Sequence, residues 1–214
     1  MTRVAREVLE HLLEGNRRFA AGCPRVDGAS SRERRRALAE VQEPSAVVLS
    51  CSDARVPTEM VFDQALGELF VVRVAGNVVA APQLGSVEFA VRLFGARLVV
   101  VLGHTRCGAV AATLAELQRP GAPLSPHVAA IVDLVRPSVA GLLADPRRPA
   151  DGDALVGEAV RANVRAGLRH LRDGSTFIAE LIEGGELLLA GAEYDLDSGL
   201  VSLLRDTPES PLAP

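Results

Sequence analysis

Three short runs of aliphatic residues constrain the fold of this chain more than any other feature. They span Ala46–Ser50, Leu69–Val74 and Leu98–Leu102 and are rich in valine. Continuous apolar runs of this length are typical of strands buried on both faces, as in a parallel sheet. Helix-like segments lie between them, over Pro57–Asp63 and Gly85–Phe94. The alternation predicts right-handed βαβ units.

The remaining segments complete a single domain over residues 1–214. Residues 1–45 predict a helical arm, with one helix over Arg3–Ala21 and a second that begins near Ser30 and Ser31. Residues 46–214 predict an α/β core, whose further helices and strands we expect at 107–118, 127–145, 152–183, Glu186–Ala190 and Leu200–Leu204. We therefore predict an α/β fold with a mainly parallel central β-sheet, flanked by helices. Four strands are expected to be parallel, and the last is expected to be an antiparallel edge strand.

The composition excludes several classes of function. All 23 basic residues are arginine, so the chain has no lysine for a Schiff base or a P-loop. Six phenylalanines, one tyrosine and a net charge of −4 argue against nucleic acid and anionic membranes as partners. No uninterrupted apolar run approaches the ~20 residues that cross a bilayer, and three cysteines are too few for a disulfide scaffold. We expect a cytoplasmic protein whose chemistry uses His, Cys, Asp, Glu, Arg, backbone dipoles or a metal.

Metal-ligand residues follow two of the predicted strands. Cys51 directly follows the first run, and His104 and Cys107 follow the third. Because the carboxyl ends of parallel strands meet at one edge of a sheet, these side chains should converge if the two strands are neighbours. Two thiolates and one imidazole are a normal zinc set, and three protein ligands with an open fourth position are typical of catalytic zinc. The alternative is that both cysteines are small core residues.

Asp53 and Arg55 lie just after the first candidate ligand. Asp53 could occupy the fourth position on a metal, and Arg55 offers the same carboxylate a competing bidentate partner. When Asp53 pairs with Arg55, a water could take that position, and its pKa would fall toward ~7. The alternative is an ordinary loop salt bridge.

Taken together, these motifs resemble those of the β-class carbonic anhydrases. Cys51-Ser-Asp-Ala-Arg-Val56 is followed about 50 residues later by Gly103-His-Thr-Arg-Cys-Gly-Ala109. The resemblance extends over nearly the whole chain, through residues 15–19, 62–63, 67–73, 75–77, 85–90 and 194–199. The family motif usually has serine at the position of Ala54, so this chain lacks one hydroxyl near the metal loop.

The resemblance implies reversible hydration of CO2 to bicarbonate and a proton, by attack of zinc-bound hydroxide on CO2. One zinc ion per subunit would be held by Cys51, His104 and Cys107. Asp53 and Arg55 would form a catalytic dyad that gates the fourth zinc position, with Asp53 on the zinc in a closed state. Positions that the family uses to bind substrate are matched by Gln42, Phe70 and Gly108.

The resemblance also bears on assembly, regulation and rival functions. The family forms dimers with active sites at the subunit boundary, which implies a homodimer or a dimer-of-dimers tetramer. A helix reaching over a partner subunit would suit Arg3–Ala21. A bicarbonate-regulated subtype has tryptophan at the position of Val48, and this chain lacks it, although Arg73 matches the subtype's arginine. The same scaffold resembles carbonyl sulfide and carbon disulfide hydrolases, and a catalytically silent zinc protein is a further alternative.

Overall fold

The computed structural model describes residues 3–25, 31–119, 121, 124–150 and 152–205. Within them the sheet has five strands, which are β1 Ala46–Ser50, β2 Leu69–Arg73, β3 Leu98–His104, β4 Leu188–Tyr194 and β5 Val201–Leu203. Their order is β2-β1-β3-β4-β5. The first four strands are parallel, and β5 is antiparallel to β4. The predicted α/β fold, with its antiparallel edge strand, is confirmed.

The helices lie on both faces of this sheet. In chain order, α1 to α8 span Arg3–Ala20, Arg32–Ala37, Thr58–Val61, Ala81–Phe94, Gly108–Gln118, Pro126–Ala144, Gly152–Asp173 and Thr176–Glu183. The predicted start of α2 near Ser30 lies outside the described residues, and Ser31 caps that helix.

The prediction of one helix over 152–183 is wrong, because α7 and α8 are separate. Gly174 lies between them, and a Cβ at this position would lie 2.6 Å from the carbonyl oxygen of His170. The hydroxyl of Ser175 then accepts a hydrogen bond from the Ile178 N–H at 3.2 Å and begins α8. Local capping at Ser175 therefore separates α7 from α8, although the apolar periodicity of the sequence continues across the boundary.

Strands β3 and β4 reach further at their carboxyl ends than the sequence predicted. β3 continues past Leu102 to His104, so the histidine lies on the strand itself. Gly103 allows this, because a Cβ there would lie 2.7 Å from the side chain of Val164 in α7. β4 pairs with β3 along its whole length, as far as His104 with Tyr194.

The sheet separates two apolar cores. Neighbouring residues of β1, such as Val47 and Val48, belong to opposite cores, and both are fully buried. One core includes residues of α4, α7 and α8, and the other includes residues of α1 and α3. Burial on both faces explains why the aliphatic runs are continuous instead of alternating.

Helix α1 packs on the chain's own sheet. Its residues Ala5, Leu9 and Leu12 are at most 4% exposed. Asn16 is also buried, and it donates to carbonyls of α3 and of the β4–β5 turn at 3.0 and 2.9 Å. It accepts from the Val201 N–H at 2.7 Å. This face is therefore covered by the chain's own sheet, and contact of residues 3–21 with a partner subunit through another face stays a prediction.

Helix α6 is long and apolar enough to cross a membrane by length and composition alone, with a mean hydropathy of 1.4. Asp133 and Arg136 interrupt its apolar sequence and pair with each other at 3.1 Å. The buried face packs with residues of α5 and α7 through Val132, Val135 and Val139. The helix therefore forms an outer layer of the α/β domain.

Candidate metal centre

Three metal-ligand side chains converge where the strand order reverses, between β1 and β3. Cys51 follows β1, His104 ends β3, and Cys107 precedes α5. One ligand atom from each lies within 4.8 Å of the others, and the two sulfurs are 4.0 Å apart. All three residues are buried. They meet because β1 and β3 are neighbours, so their carboxyl ends share one edge of the sheet.

The imidazole of His104 is oriented to bind a cation. Its Nδ1 lies 3.0 Å from the carbonyl oxygen of Thr105. Because a carbonyl only accepts, Nδ1 carries the proton and Nε2 presents a lone pair. Nε2 is buried and has no hydrogen-bond partner among the described residues. A buried polar atom without a partner costs about 1–3 kcal/mol, and a metal ion at this position would remove that cost.

The two thiols cannot both ionise readily without a cation between them. The hydrogen bond with Cys107 is the main cause that lowers the pKa of Cys51, to about 4. The same bond, followed by burial, raises the pKa of Cys107. A divalent cation would favour the thiolate form of both residues. Two sulfurs and one imidazole nitrogen are a donor set that suits zinc.

Donors from β2 and the turn after it hold the loop that contains Cys51. The N–H of Gly76 donates to Cys51 Sγ at 3.3 Å. Arg73 donates from Nε to the carbonyl of Cys51 at 3.1 Å and from Nη2 to that of Asp53 at 2.7 Å. The arginine that matched the regulatory subtype is thus bonded to the metal loop, while Val48 is fully buried in the core.

Asp53 and Arg55 form a bidentate pair beside this cluster. Arg55 donates from Nε and Nη2 to the two carboxylate oxygens at 2.9 and 2.8 Å, and its backbone N–H donates to Oδ1 at 3.0 Å. The hydrogen bond from the guanidinium holds the pKa of Asp53 well below its usual range. Oδ2 lies 3.9 Å from His104 Nε2. An ionised carboxylate therefore stands next to the metal ligands, with Ala54 exposed in the turn.

The geometry of this pair alone does not make it functional. Asp145 and Arg147, in the loop after α6, form the same three bonds at 2.8, 3.1 and 3.0 Å. There the arginine side chain is 88% exposed, as in an ordinary surface salt bridge. What distinguishes Asp53 and Arg55 is their place beside the candidate metal ligands.

The turn between β4 and β5 holds the loop from His104 to Cys107. Thr105 forms two hydrogen bonds of 3.0 Å with the backbone of the segment from Tyr194 to Leu196. Arg106 has a φ of 56°, in the left-handed region, and its guanidinium pairs with Asp197. Left-handed backbone at a non-glycine residue persists where its surroundings hold it.

The predicted substrate-binding residues lie at different ends of β1. Gly108 is the first residue of α5, next to Cys107, and a Cβ on it would meet no atom within 4 Å. Phe70 pairs with Val47, four residues before Cys51, which is about 13 Å along the strand. Gln42 is exposed in the loop that enters the amino end of β1. The chain itself places Gly108 next to the cluster and Gln42 and Phe70 away from it, and substrate binding by all three residues stays a prediction.

Sequence patterns missed the residues that support the ligands from outside. Asn163 of α7 donates to the carbonyl of Gly76 at 2.7 Å, across 87 positions of sequence. The dipeptide Gly76-Asn77 is a turn signal, and this signal could have indicated Gly76. Nothing in the helical pattern of α7 distinguishes Asn163, because its contact arises only when the helix packs on the sheet.

Comparison with known proteins identifies the family. Residues 46–201 match the family model described as carbonic anhydrase. Carbonic anhydrase 2 of Mycobacterium tuberculosis is 44% identical over 195 residues, which cover 91% of this chain and 90% of that protein. The carbonic anhydrase of Mycolicibacterium smegmatis is 43% identical over 192 residues, with 90% and 89% covered.

A solved structure shows the same fold. It is that of a β-carbonic anhydrase from Sordaria macrospora, described as tetrameric, and it matches with a TM-score of 0.73 at 21% identity. The match covers 92% of this chain and 97% of that one. With the family model, the bacterial relatives and the geometry of the three ligands in agreement, this chain belongs to the β-class carbonic anhydrases.

Proposed function

We propose that this chain catalyses the zinc-dependent, reversible hydration of CO2 to bicarbonate and a proton. The observation that carries the proposal is the bare, buried Nε2 of His104, within 4.8 Å of two thiols and 3.9 Å from Asp53. The activity named for the relatives supports it. Cys51, His104 and Cys107 would hold one zinc ion per subunit, which would supply the Lewis acidity that makes water a nucleophile near neutral pH.

Asp53 orients the attacking water in this proposal. Its Oδ2 accepts one bond from Arg55 and keeps a second lone pair, since an ionised carboxylate only accepts. A water that donates to this oxygen has its own lone pair free to point toward the carbon of CO2. Arg55 keeps the carboxylate ionised and fixed by two parallel bonds, which suits a planar guanidinium better than an ammonium.

The same carboxylate would gate the site. Asp53 Oδ2 is 3.9 Å from His104 Nε2, so a rotation away from Arg55 would bring it into the space between the ligands. The bidentate pair with Arg55 opposes this rotation. The open state would be the one in which Asp53 bonds Arg55, and the closed state the one in which Asp53 replaces water as the fourth ligand.

We propose that the backbone N–H of Gly108 donates a hydrogen bond to the substrate oxygen that gains negative charge as bicarbonate forms. The first N–H groups of a helix lack intrahelical acceptors and favour anions. Gly108 begins α5 directly after Cys107, and no atom lies within 4 Å of where its Cβ would be. Gly108 is also exposed and has no side chain to shield its backbone, so an anion can approach the N–H, as charge stabilisation by a preorganised donor requires.

A homodimer, or a dimer of two such dimers, is part of the proposal. β2 is an edge strand, and Phe89 and Leu93 of the neighbouring α4 are 49% and 64% exposed. An unpaired edge beside exposed apolar side chains is typical of a surface that pairs with another chain. Across a two-fold axis, β2 strands would pair antiparallel, so Gln42 and Phe70 of one copy would approach the cluster of the other.

The cysteines support a cytoplasmic location. Cys23 is exposed, Cys51 and Cys107 are buried, and all three are free thiols. Disulfides are rare in reducing compartments, and thiolate ligands require reduced cysteines. We therefore propose that the enzyme works in the cytoplasm.

Stopped-flow CO2 hydration by the zinc-loaded protein tests the proposed reaction, with hydrolysis of carbonyl sulfide and carbon disulfide measured in parallel. We expect hydration, and its absence between about pH 7 and 9 would contradict the proposal. Hydrolysis of either sulfur compound without CO2 hydration would reassign the substrate, and inactivity toward all three would indicate a catalytically silent zinc protein. Asp53→Ala should abolish turnover with zinc still bound, whereas Asp145→Ala, in the matched surface pair, should change neither.

A further inference from the structure

The turn after β2 places a backbone N–H on one of the ligand sulfurs. Gly76 N lies 3.3 Å from Cys51 Sγ. Gly76 has φ 70° and ψ 17°, in the left-handed region that favours glycine. A Cβ here would also lie 3.2 Å from the Cβ of Ala109. Both observations explain why glycine occupies the position whose N–H reaches the sulfur.

A side chain from a distant helix holds this turn in place. Asn163 Nδ2 donates to the carbonyl oxygen of Gly76 at 2.7 Å. Asn163 is 4% exposed, and its neighbours Val160 and Val164 in α7 are buried. The amide nitrogen and the carbonyl of Gly76 flank a single Cα, so a fixed carbonyl limits the two dihedral angles that aim the N–H.

We propose that Asn163 is a positioning residue for the metal centre, which fixes the Gly76 turn so that its N–H donates to the Cys51 sulfur. An N–H···S bond withdraws electron density from a thiolate ligand. Its loss makes the sulfur a stronger donor and the bound metal a weaker Lewis acid. Substitution of a residue that supports a metal ligand through hydrogen bonds typically lowers metal affinity or activity about 10–100-fold. The inference rests on the proposed function, because it concerns a ligand of the proposed zinc ion.

Cobalt substitution of the full chain tests this role with a readout that a purely structural residue would not change. Asn163→Leu removes the donor, and Asn163→Asp keeps the size but replaces the donor with an acceptor. In both variants the thiolate-to-Co2+ charge-transfer band should move to longer wavelength. Zinc affinity, measured by competition with a chromophoric chelator, should fall about 10–100-fold, because the turn that positions Cys51 is no longer held and this loss of geometry outweighs the stronger donation by the sulfur. The control is Leu171→Ala in the same helix, since Leu171 is fully buried in a core that contains none of the ligands.

The unsubstituted protein provides a second measurement that does not depend on how the variants fold. When the site is loaded with 113Cd, the Gly76 amide proton should show a scalar coupling to the metal across the N–H···S bond. Absence of this coupling would overturn the inference. So would an unchanged charge-transfer band and zinc affinity in both Asn163 variants, or an equal change in Leu171→Ala. Failure of the unsubstituted protein to bind Co2+ or Cd2+ would instead refute the proposed function itself.

Discussion

Replacing Arg55 by lysine tests whether the bidentate geometry, and not only a positive charge, positions Asp53. The guanidinium donates to both carboxylate oxygens, at 2.9 and 2.8 Å. A lysine ammonium is a compact point charge on a flexible stem and cannot reproduce two parallel bonds. The substitution therefore keeps the charge that favours ionised Asp53 and removes the constraint on its orientation.

The expected loss follows from what the pair does. A positioned proton acceptor contributes about 10²–10⁴-fold to a rate, and a misplacement of about 1 Å can cost about 10²-fold. Because lysine can keep one of the two side-chain bonds, the carboxylate of Asp53 should be displaced by less than about 1 Å. The kcat of Arg55→Lys should therefore fall about 10- to 100-fold. Arg55→Ala removes both bonds and the charge, and its rate should approach that of Asp53→Ala.

The assay is stopped-flow CO2 hydration with a pH indicator, on protein whose zinc content is measured in each sample. The matched control is Arg147→Lys, because Arg147 bonds Asp145 in the same pattern at the surface. Zinc content should be equal in all the variants, since the Arg55 side chain bonds Asp53 and the carbonyl of Arg106 and, within the described residues, none of the three candidate ligand side chains.

Two results would refute this reasoning. If Arg55→Lys keeps kcat within about twofold at full zinc content, bidentate geometry is not needed and charge alone suffices. If Arg147→Lys loses as much activity, the effect is not specific to the metal centre. A loss of zinc in Arg55→Lys alone would show that the pair supports the metal loop instead of the chemical step.

Three further predictions concern the fold, the metal and the assembly. Asn16→Ala removes three hydrogen bonds, each worth about 0.5–1.5 kcal/mol. The free energy of unfolding, measured by urea denaturation, should therefore fall by about 2–4 kcal/mol. No change would mean that α1 is held by its apolar face alone. Cys107→Ser should abolish stoichiometric zinc binding, measured by elemental analysis, while Cys23→Ser should leave it intact because that thiol is exposed and outside the cluster. Leu93→Glu, at a position 64% exposed beside the edge strand, should reduce the molar mass measured by light scattering, and an unchanged oligomer would exclude this surface as the interface.

The fold could be predicted where burial alone decides the local structure. Both ends of β1 were predicted correctly, because all five of its residues are buried and a polar loop begins directly after Ser50. The boundary between α7 and α8 was missed, because apolar periodicity continues across Gly174 and only the cap at Ser175 interrupts it. The end of β3 was missed too, since its pairing through His104 depends on how closely α7 approaches Gly103.

The metal centre could be predicted as a set of residues but not as a geometry. Cys51, His104 and Cys107 stood out because each follows or ends an aliphatic run, where parallel strands place their ligands. The direction of the bare Nε2 of His104 could not be predicted, because it depends on the bond between Nδ1 and the Thr105 carbonyl. The same Asp-x-Arg spacing recurs at Asp145 and Arg147, in an exposed loop after α6, so the spacing alone does not identify a metal site.

The sequence by itself determined the parallel sheet, the three candidate ligands and the acid–arginine pair, because these depend on residue type and on local periodicity. Only the tertiary structure decided that β1 and β3 are neighbours, that α1 covers the chain's own sheet, and that Asn163 supports the turn against Cys51. Local patterns report whether a residue is buried, but not what it is buried against. Contacts between distant segments arise only when the helices pack on the sheet, and the support of this candidate metal centre depends on them.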